Sequence, residues 1–475
     1  MTNILQLYIN GEWVGGTINN TCPVINPATE EIISHVYMAT KENLDVAING
    51  ANEAFKKWST TSAQIRSEIL HKAAEILSGQ INDIASNLTI EQGKPIGEAT
   101  GEVHAAVNAF RWASKEALNI KNITYPDSPD NYSQKTMFEP IGVVAGFSPW
   151  NFPAMLTARK ISSAIAAGCC IIIKPAEEAP ATAIALAKAL DEAGLPAGVL
   201  NMVFGDPAMI SERLIRDKSI KKVSLTGSTA VGKLLAGQCA QNLTPCVLEL
   251  GGHAPVIIFD DVDVNAVAQN LAIFKYRNAG QVCVSPSRFF IHENIAEKFM
   301  ELFVKHTENL KVGNGLDSDT NIGPLAHERR VGAVEELVND AIGKGANCLL
   351  GGKPMDQAGY FFEPTILSNA PKAADLMTTE IFGPVAVLST FNDVDDVIDR
   401  ANDVPYGLAS YLFTNNAETI EYIKPRLEAG LVSINITTPI LENVPFGGVK
   451  ESGYGYEGGT VGLQAFMNLK LIHEA

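Results

Sequence analysis

The sequence predicts an α/β protein built from two doubly wound domains. Its 475 residues exceed the roughly 250–300 at which a single hydrophobic core stops growing. From residue 141, short apolar runs alternate with alanine-rich helical segments, and a second alternation of the same kind extends from about residue 250 to about residue 445. Strands that are apolar throughout and are joined by helices are typical of parallel sheets covered on both faces.

The individual elements follow from these patterns. Apolar residues recur at helical spacing over 44–58 and over 70–88, which predicts two long amphipathic helices before the first sheet. Apolar runs predict the strands of the first sheet at Ile141–Phe147, Cys169–Ile173, Val199–Phe204, Val223–Leu225 and Cys246–Leu250. Strands of the second sheet are predicted at Pro255–Phe259, Arg288–His292, Val385–Phe391 and Leu431–Ile436.

The patterns divide the chain into two domains and two outlying segments. The first domain is predicted to comprise residues 1–118 and 138–248, and the second residues 249–447. Residues 119–137 are polar, contain prolines and are rich in β-forming residues, and neither they nor the tail 448–475 belong to either sheet. Such outlying segments often pair with another subunit, so we predict that the two form a small β arm.

The composition excludes several classes of partner. The formal net charge of −17 argues against nucleic acid or an anionic membrane, because both bind through basic residues. The longest apolar stretches, such as Ala164–Ile173, are shorter than the roughly 18–20 residues that a bilayer requires, and the start of the chain has no signal-peptide pattern. We therefore predict a cytoplasmic protein.

The cysteines and histidines predict neither a disulfide scaffold nor a metal site. Seven cysteines scattered over a chain of this length are too few for a scaffold, and an odd number fits a reducing compartment. There is no CxxC pair and no HExxH motif, and the eight histidines do not cluster, so we expect no bound metal.

Two glycine-rich motifs suggest nucleotide binding, and both are imperfect. Residues 453–458 match GxGxxG, but no apolar run precedes them, so the strand–turn–helix context of a dinucleotide site is missing. Residues 227–233 resemble a P-loop, but Leu234 replaces the hydroxyl that binds magnesium, which makes an NTPase the less favoured class. A helix that begins near Ser228 still suits a phosphate group, although a serine cap without any ligand is equally common.

Two other residues have the chemistry of a catalytic site. Cys283 lies in a loop between a predicted helix and a predicted strand, where a nucleophile is commonly held, although a lone cysteine is more often a small buried hydrophobe. Glu249 ends an apolar strand, where desolvation raises the pKa of a carboxyl toward the range that a general base needs. The alternative is a glutamate that is neutralised by a basic partner.

Seven motifs together make the chain similar to the NAD(P)-dependent aldehyde dehydrogenase superfamily over essentially its whole length. Any one motif is weak evidence, but seven in the family's order are specific. The resemblance implies an aldehyde dehydrogenase-like fold with a dinucleotide-binding domain, a catalytic domain and an oligomerisation arm, in the order of the segments above. The motifs are Pro149–Pro153, Lys174–Glu177, Thr226–Ser228, Glu249–Gly252, Gly280–Cys283, Glu380–Pro384 and Pro445–Gly448.

The resemblance also implies a mechanism. Cys283 would add to the aldehyde carbon, and the resulting oxyanion would be held by the side-chain amide of Asn151 and by the backbone N–H of Cys283. Hydride transfer to the nicotinamide would leave a thioester, and Glu249 would activate the water that hydrolyses it. A catalytically silent relative is the alternative of a different class, and the presence of all three residues argues against it.

The resemblance further implies which residues bind the cofactor. Lys174 and Glu177 would bind the adenosine ribose, and a carboxylate at 177 favours NAD over NADP because it repels a 2′-phosphate. Ser228 would meet the pyrophosphate, Glu380 the nicotinamide ribose, and Phe382 would pack near the ring. Trp150 and Gly227 are assigned to the same site.

Two arginines point to the substrate. Arg159 follows Asn151 by eight residues, and Arg277 precedes Cys283 by six. A guanidinium binds a carboxylate through two parallel hydrogen bonds, so the two arginines suggest a substrate with an acid group. Ordinary salt bridges within the protein would explain the two arginines equally well. The arrangement is similar to that of succinate-semialdehyde dehydrogenases, and enzymes of 2-oxoglutarate semialdehyde or longer ω-oxo acids resemble the chain about as well.

Some succinate-semialdehyde dehydrogenases carry a second, redox-sensing cysteine two residues after the nucleophile. Ser285 occupies that position here, so no disulfide is expected at Cys283. The family's arm implies a homodimer or homotetramer.

Overall fold

The computed structural model describes residues 4–126, 132–437 and 441–474. Its first part consists of short strands and four helices. They are β1 (Ile4–Leu5), β2 (Leu7–Ile9), β3 (Glu12–Val14), β4 (Thr21–Ile25), β5 (Ile32–Tyr37), α1 (Lys41–Trp58), α2 (Ala63–Ser78), α3 (Ile81–Gln92) and α4 (Ile96–Glu116).

The first predicted helix is confirmed, and the second is wrong in its length. α1 begins with a capping box in which Thr40 and Asn43 exchange hydrogen bonds, and it buries Leu44 and Trp58 on its apolar face. The apolar pattern over 70–88 spans two helices, α2 and α3, because the helix stops at a glycine C-cap, Gly79. The apolar spacing continues across the break, since both helices pack on the same core.

The first large sheet has a parallel centre. In the order β12-β11-β8-β9-β10, all neighbouring strands run parallel, and helices connect them, as the alternating pattern predicts. The strands and helices of this part are β8 (Val143–Phe147), α5 (Pro153–Ala167), β9 (Cys170–Lys174), α6 (Pro180–Ala193), β10 (Leu200–Met202), α7 (Pro207–Arg216), β11 (Ile220–Thr226), α8 (Thr229–Ala240) and β12 (Cys246–Glu249). Two strands that precede them, β6 (Ile123–Tyr125) and β7 (Ser133–Pro140), belong to a separate sheet.

The second large sheet has the order β15-β16-β17-β14-β13-β19-β20, in which β15 alone runs antiparallel to its neighbour. The remaining elements are β13 (Ala254–Ile258), α9 (Val264–Tyr276), β14 (Pro286–His292), α10 (Ala296–Glu308), α11 (Glu328–Gly343), β15 (Asn347–Leu350), β16 (Thr365–Ser368), β17 (Val385–Phe391), α12 (Val394–Asn402), β18 (Tyr406–Gly407), β19 (Ala409–Phe413), α13 (Ala417–Ile423), β20 (Leu431–Ile434), β21 (Val449–Lys450), β22 (Gly453–Tyr454), α14 (Gly459–Gln464) and β23 (Met467–Glu474).

A smaller sheet of three strands joins distant parts of the chain. β23 pairs antiparallel with β7 along its whole length, and β7 also pairs with β6. Antiparallel strands complete the edges of the first large sheet, with β2 and β3 on one side and β22 on the other. The predicted α/β fold with two parallel-stranded sheets is thus confirmed. Among the described residues no helix is both long and apolar enough to cross a membrane.

The two large sheets bring specific strand ends together. In the first sheet, register pairs Phe147 with Lys174 and Thr226 with Glu249, so the carboxyl ends of four parallel strands lie along one edge. In the second sheet, β17, β14 and β13 are neighbours, so the segments that precede them are neighbours as well. Ligands of open α/β sheets bind beyond the carboxyl ends of the strands.

Candidate active site

Cys283 lies in an irregular segment between a 3₁₀ turn, Arg277–Gly280, and β14. Its thiol donates a hydrogen bond to Oε1 of Glu249, the last residue of β12, with the sulfur 3.5 Å from the oxygen. The structure therefore brings together two side chains that are 34 residues apart in the chain, and these are the predicted nucleophile and the predicted base.

The carboxyl group of Glu249 is buried, with 2% of the residue exposed. Burial raises its pKa, and the negative charge of Glu457 raises it further, whereas Arg159 and Lys160 oppose the shift. Thr226 also donates to its Oε2 at 3.3 Å. A carboxyl with a raised pKa is a stronger proton acceptor than a free glutamate, as a general base requires.

The Cys283 thiol holds its proton in this arrangement. Burial raises its pKa well above the ordinary value, and the neighbouring charges of Glu249 and Glu380 raise it further. The adjacent Glu249 carboxyl is the group placed to accept the proton when the thiol ionises.

Asn151 lies in the same cavity wall as Cys283. Its Nδ2 donates one hydrogen bond to the backbone oxygen of Gln281 at 3.1 Å. An amide nitrogen carries two hydrogens, and the contact with Gln281 uses one of them. Two donors fix the backbone oxygen of Asn151: Nζ of Lys94 at 2.7 Å and Nδ2 of Asn278 at 3.0 Å.

The segment around Cys283 depends on two close backbone approaches. Gly280 has a φ of +72°, and a Cβ there would lie 2.1 Å from the backbone oxygen of Gly383. A Cβ on Gly252 would lie 2.4 Å from the backbone oxygen of Cys283. Only glycine fits at these two positions, and the two contacts hold the nucleophile's segment against β13 and β17.

A buried ion pair that the sequence analysis missed supports Asn151. Lys94 and Glu102 form a 2.5 Å ion pair with side chains that are 0% and 1% exposed. The other carboxylate oxygen of Glu102 accepts from the backbone N–H groups of Ala154 and Met155, in the first turn of α5. A loop lysine and a helical glutamate eight residues apart give no sequence signal of this pairing, because the contact with Asn151 is made only in the folded chain.

A cavity of about 690 Å³ extends from Cys283 along the carboxyl ends of the first sheet. Every residue that was predicted to bind a cofactor lines it, together with Cys283 and Asn151. The predicted cofactor residues in its wall are Trp150, Lys174, Glu177, Gly227, Ser228, Glu380 and Phe382.

Lys174 and Glu177 form one wall of this cavity. Lys174 ends β9 and donates from Nζ to Oε2 of Glu177 at 2.7 Å. The other oxygen, Oε1, accepts from the backbone N–H of Gly205 at 2.8 Å. A carboxylate fixed in this way presents its remaining lone pairs to the cavity, where they suit the hydroxyl groups of a ribose.

Helix α8 starts at the same cavity. Ser228 is its N-cap, and Ser228 Oγ accepts from the backbone N–H of Val231. Ser228 therefore caps the helix, as one of the two explanations of this serine predicted. Gly227, Ser228 and Val231 also line the cavity, so the positive end of the helix dipole faces the space where an anionic group would lie.

Glu380 and Phe382 come from the segment before β17. The backbone N–H of Gly252 donates to Oε1 of Glu380 at 3.0 Å, and burial raises the pKa of this carboxyl to about 7. Phe382 has a φ of +47°, and its ring meets Trp150 edge-on at 5.4 Å. Arg330, which the sequence analysis did not find, donates from Nη2 to the backbone oxygens of Ile381 and Phe382.

Arg159 lies in α5 and is 5% exposed. Its positive charge acts on Glu249, so it is on the same side of the site as the base. Its Nε has no hydrogen-bond partner within the described part of the chain. The next residue, Lys160, forms an ion pair with Glu457. An ordinary salt bridge therefore explains Lys160, whereas Arg159 forms no such pair within the described residues.

Arg277 follows α9 directly and is half-buried. Its guanidinium lies 5.2 Å from the ring centre of Phe152 and 6.0 Å from that of Phe274. Glu98 is close enough for Arg277 to lower its pKa, although burial raises the pKa of Glu98 to about 7 overall. Where the structure describes the chain, Arg277 forms no direct ion pair, and its planar group stacks on apolar surface next to Phe152.

The residues of the GxGxxG match have a different place in the fold. Gly453 and Tyr454 form β22, which pairs with the end of β12 beside Glu249. β22 is an antiparallel edge strand, and α14 begins only at Gly459 with Gly458 as its N-cap, so the motif does not form the parallel strand–turn–helix of a dinucleotide site. Within residues 4–126, 132–437 and 441–474, no group of three or more metal-ligating side chains is present.

Comparison with known proteins identifies the family. The model of the aldehyde dehydrogenase family matches residues 13–472, and the chain belongs to this family. Members of the family use NAD(P), and the chain is an oxidoreductase of this class.

Individual relatives of similar length act on different substrates. The chain is 40% identical over 468 residues to 4-(hydroxymethyl)benzenesulfonate dehydrogenase TsaD1 of Comamonas testosteroni (98% of each). It is 39% identical over 467 residues to glutarate-semialdehyde dehydrogenase of Pseudomonas putida (98% of this chain, 97% of the relative). It is 38% identical, with the same coverage, to the NADP-dependent succinate-semialdehyde dehydrogenase GabD of Escherichia coli.

Two solved structures have the same fold. Succinate-semialdehyde dehydrogenase from Burkholderia pseudomallei superposes with a TM-score of 0.97 at 39% identity, covering 99% of this chain and 98% of that one. The NAD+ complex of an aldehyde dehydrogenase from Bacillus cereus superposes with a TM-score of 0.96 at 33% identity, covering 99% and 96%.

Proposed function

We propose that this protein oxidises a carboxylate-bearing semialdehyde, succinate semialdehyde first among them, to the corresponding acid with NAD. The observation that carries this proposal is the contact between the Cys283 thiol and the Glu249 carboxylate at 3.5 Å, at the end of a cavity of dinucleotide size. The substrate aldehyde, NAD+ and water are converted to acid, NADH and a proton.

The residues of the chain have three tasks in this reaction. Glu249 takes the thiol proton while Cys283 Sγ bonds to the aldehyde carbon, and the second Nδ2 hydrogen of Asn151 and the Cys283 backbone N–H stabilise the oxyanion. Bound NAD would supply the hydride acceptor, and Cys283 would carry the thioester that results. Glu249 releases the thiol proton to solvent and, as a carboxylate again, accepts a proton from the water that attacks the thioester. The acid leaves, and Glu249 returns this second proton to the Cys283 thiolate.

Glu177 supports a preference for NAD over NADP. Its carboxylate is anchored by Lys174 and by the Gly205 backbone, and it lies in the wall of the proposed cofactor cavity. A fixed negative charge next to a ribose accepts hydrogen bonds from a free 2′-hydroxyl and repels a 2′-phosphate. The NADP-dependent relative means that the family alone does not decide this preference.

Arg159 and Arg277 support an anionic substrate. Arg159 is a buried cation with an unused Nε donor near Glu249, and Arg277 borders the apolar patch around Phe152. A guanidinium without an ion partner is suited to the distal carboxylate of a semialdehyde. 2-Oxoglutarate semialdehyde and longer ω-oxo acids remain alternatives, because the two arginines recognise the acid group and not the chain length.

A sulfonate-bearing aldehyde is a second candidate. A relative of the same length, 40% identical, is named as a dehydrogenase of a benzenesulfonate, and a sulfonate offers the same kind of acceptor oxygens to the two arginines. The tetrahedral sulfonate and the planar carboxylate differ in shape, so a direct comparison of the two substrate classes separates the candidates.

The assembly and the compartment are part of the same proposal. Leu469 and Leu471 on β23 are 61% and 58% exposed, and apolar side chains on an exposed strand are well suited to a subunit contact. We therefore expect a homodimer or homotetramer that uses the β7–β23 sheet. The seven free cysteines favour the reducing cytoplasm.

The test is a panel of aldehydes of increasing chain length, each with no acid group, a terminal carboxylate or a terminal sulfonate, assayed with NAD and with NADP. We expect NADH formation with the highest kcat/KM for carboxylate semialdehydes. Equal turnover of uncharged aldehydes would refute the role of the arginines. Cys283→Ala should abolish oxidation and preserve NAD binding, and turnover near the parent rate would refute the covalent mechanism.

A further inference from the structure

Two cysteines outside the active site lie side by side. Cys239 is in the last turn of α8, and Cys246 is the first residue of β12. The connecting turn folds back on the helix, because the backbone N–H groups of Asn242 and Thr244 both donate to the backbone oxygen of Cys239, at 3.2 and 3.0 Å. The two thiols are close enough that each affects the pKa of the other.

Further donors and a cation surround Cys246. The hydroxyl oxygen of Tyr454, on the adjacent edge strand β22, lies 2.8 Å from Cys246 Sγ. Lys222, on the neighbouring strand β11, is close enough for its charge to act on the same sulfur. Cys246 is partly exposed and Tyr454 is 51% exposed, so small molecules can approach the sulfur from solvent.

The environment of Cys246 stabilises a thiolate. The hydrogen bond from Cys239 is the largest cause that lowers the pKa of Cys246, and Tyr454 and Lys222 add to it, so that the pKa is about 6 in spite of partial burial. The pKa of each of the other six cysteines is raised, including that of the exposed Cys348. Thiolate character and access together make a cysteine sensitive to oxidants.

We infer that Cys246 and Cys239 are a peroxide-reactive pair, in which a hydroperoxide oxidises Cys246 and Cys239 then closes an intramolecular disulfide. In the first step, the Cys246 thiolate attacks the peroxide, the O–O bond breaks, and one oxygen remains on sulfur as a sulfenic acid while the other leaves as water or an alcohol. In the second step, Cys239 sulfur bonds to Cys246 sulfur and the sulfenic oxygen leaves as water. Two thiols are oxidised and one hydroperoxide is reduced.

This site is independent of aldehyde oxidation. The pair lies at the amino end of β12, and Glu249 lies at the carboxyl end of that strand. The sequence predicts no disulfide at Cys283, since the position two residues later is Ser285, and that prediction concerns a different part of the fold. Failure of one proposal therefore leaves the other unaffected.

The experiment uses the full-length chain with Cys283→Ala, so that the catalytic thiol does not contribute to the signal. The protein is treated with hydrogen peroxide, the remaining thiols are alkylated in denaturant, and peptides are analysed by mass spectrometry. We expect the alkylated forms of Cys239 and Cys246 to disappear together, a disulfide-linked product to appear, and a reducing agent to reverse both changes. Cys246 should react on the order of tenfold faster than Cys348, because Tyr454 and Lys222 stabilise its thiolate.

Matched variants separate the two steps. Cys246→Ser should leave Cys239 reduced, whereas Cys239→Ser should leave Cys246 as a sulfenic acid that a dimedone probe traps. Tyr454→Phe should slow the reaction of Cys246, and Cys348→Ser should leave the pair's reaction unchanged. If Cys239 and Cys246 both stay alkylatable after Cys348 has been oxidised, the inference is wrong. This measurement is made on the Cys283→Ala protein, so it is valid even when Cys239→Ser or Cys246→Ser does not fold.

Discussion

Lys94 holds the backbone oxygen of Asn151 at 2.7 Å from Nζ, and the same ammonium group pairs with Glu102. The backbone of Asn151, whose side-chain amide is proposed to stabilise the oxyanion, is therefore held by the buried ammonium group of Lys94. Lys94 Nζ also lies 4.0 Å from the ring centre of Phe152, so one side chain contacts two successive residues of the turn between β8 and α5.

The first prediction concerns this anchor. Lys94→Met should destabilise the protein by about 3–5 kcal/mol, because it leaves Glu102 buried without its partner, and should lower kcat up to about 10²-fold, because the oxyanion donor moves. Chemical denaturation and steady-state kinetics measure the two effects. Lys94→Met/Glu102→Leu should recover part of the stability without recovering kcat, and Lys94→Arg should retain more kcat than Lys94→Met.

A surface pair provides the control for that prediction. Lys56 and Glu53 form an ion pair with side chains that are 66% and 72% exposed. Lys56→Met should change stability by less than about 1 kcal/mol and leave kcat unaltered. An equal effect of the Lys56 and Lys94 substitutions would contradict the proposed role of Lys94.

The second prediction is a pH dependence. Burial and Glu457 raise the pKa of Glu249, and only the ionised carboxylate accepts a proton. The activity should therefore fall as the pH decreases through this raised pKa, at a higher pH than an ordinary glutamate would give. The profile of kcat/KM against pH measures it.

Glu249→Gln tests whether Glu249 causes this fall of activity at low pH, the acid limb of the profile. The amide cannot accept the proton, so kcat should fall by about 10²–10⁴-fold and the acid limb should disappear from the residual activity. Glu53→Gln, an exposed substitution, should leave the profile unchanged. An acid limb that persists in Glu249→Gln would assign it to another group.

Features that follow from local sequence patterns were predictable, and contacts made only in the folded chain were not. The parallel sheets were predictable, because apolar runs such as Cys169–Ile173 must be buried on both faces. The contact of Cys283 with Glu249 agreed with the motifs that carried the resemblance. The pairing of Lys94 with Glu102 was not predictable, because a lysine in a loop and a glutamate in a helix look like surface residues until the chain buries both.

The third prediction concerns the two arginines. Arg159→Met and Arg277→Met should each lower kcat/KM for succinate semialdehyde by about 10–100-fold, the value of one charged hydrogen-bonding group, and should change kcat/KM for butanal much less. Arg111→Met, which breaks a surface pair with Glu75, is the control. Equal losses on both aldehydes would show that the arginines are only structural.

A difference between the two arginine variants adds a second measurement. Arg159 lowers the pKa of Glu249, and Arg277 is not among the principal causes of the shift. Arg159→Met should therefore move the acid limb of the activity profile to higher pH, while Arg277→Met should leave it in place. Identical profiles would mean that Arg159 is not close to the base in solution.

The last prediction concerns the choice of cofactor. Glu177→Ser removes the fixed charge that Lys174 and the Gly205 backbone hold in the cavity wall, so the ratio of kcat/KM for NAD to that for NADP should fall by about tenfold or more. Most of the change should be a gain with NADP, because a 2′-phosphate is no longer repelled. Glu192→Ser on α6 makes the same change in net charge at an exposed position and should leave the ratio unchanged. Equal use of both cofactors by the parent enzyme, or an unchanged ratio in Glu177→Ser, would show that another residue determines the preference.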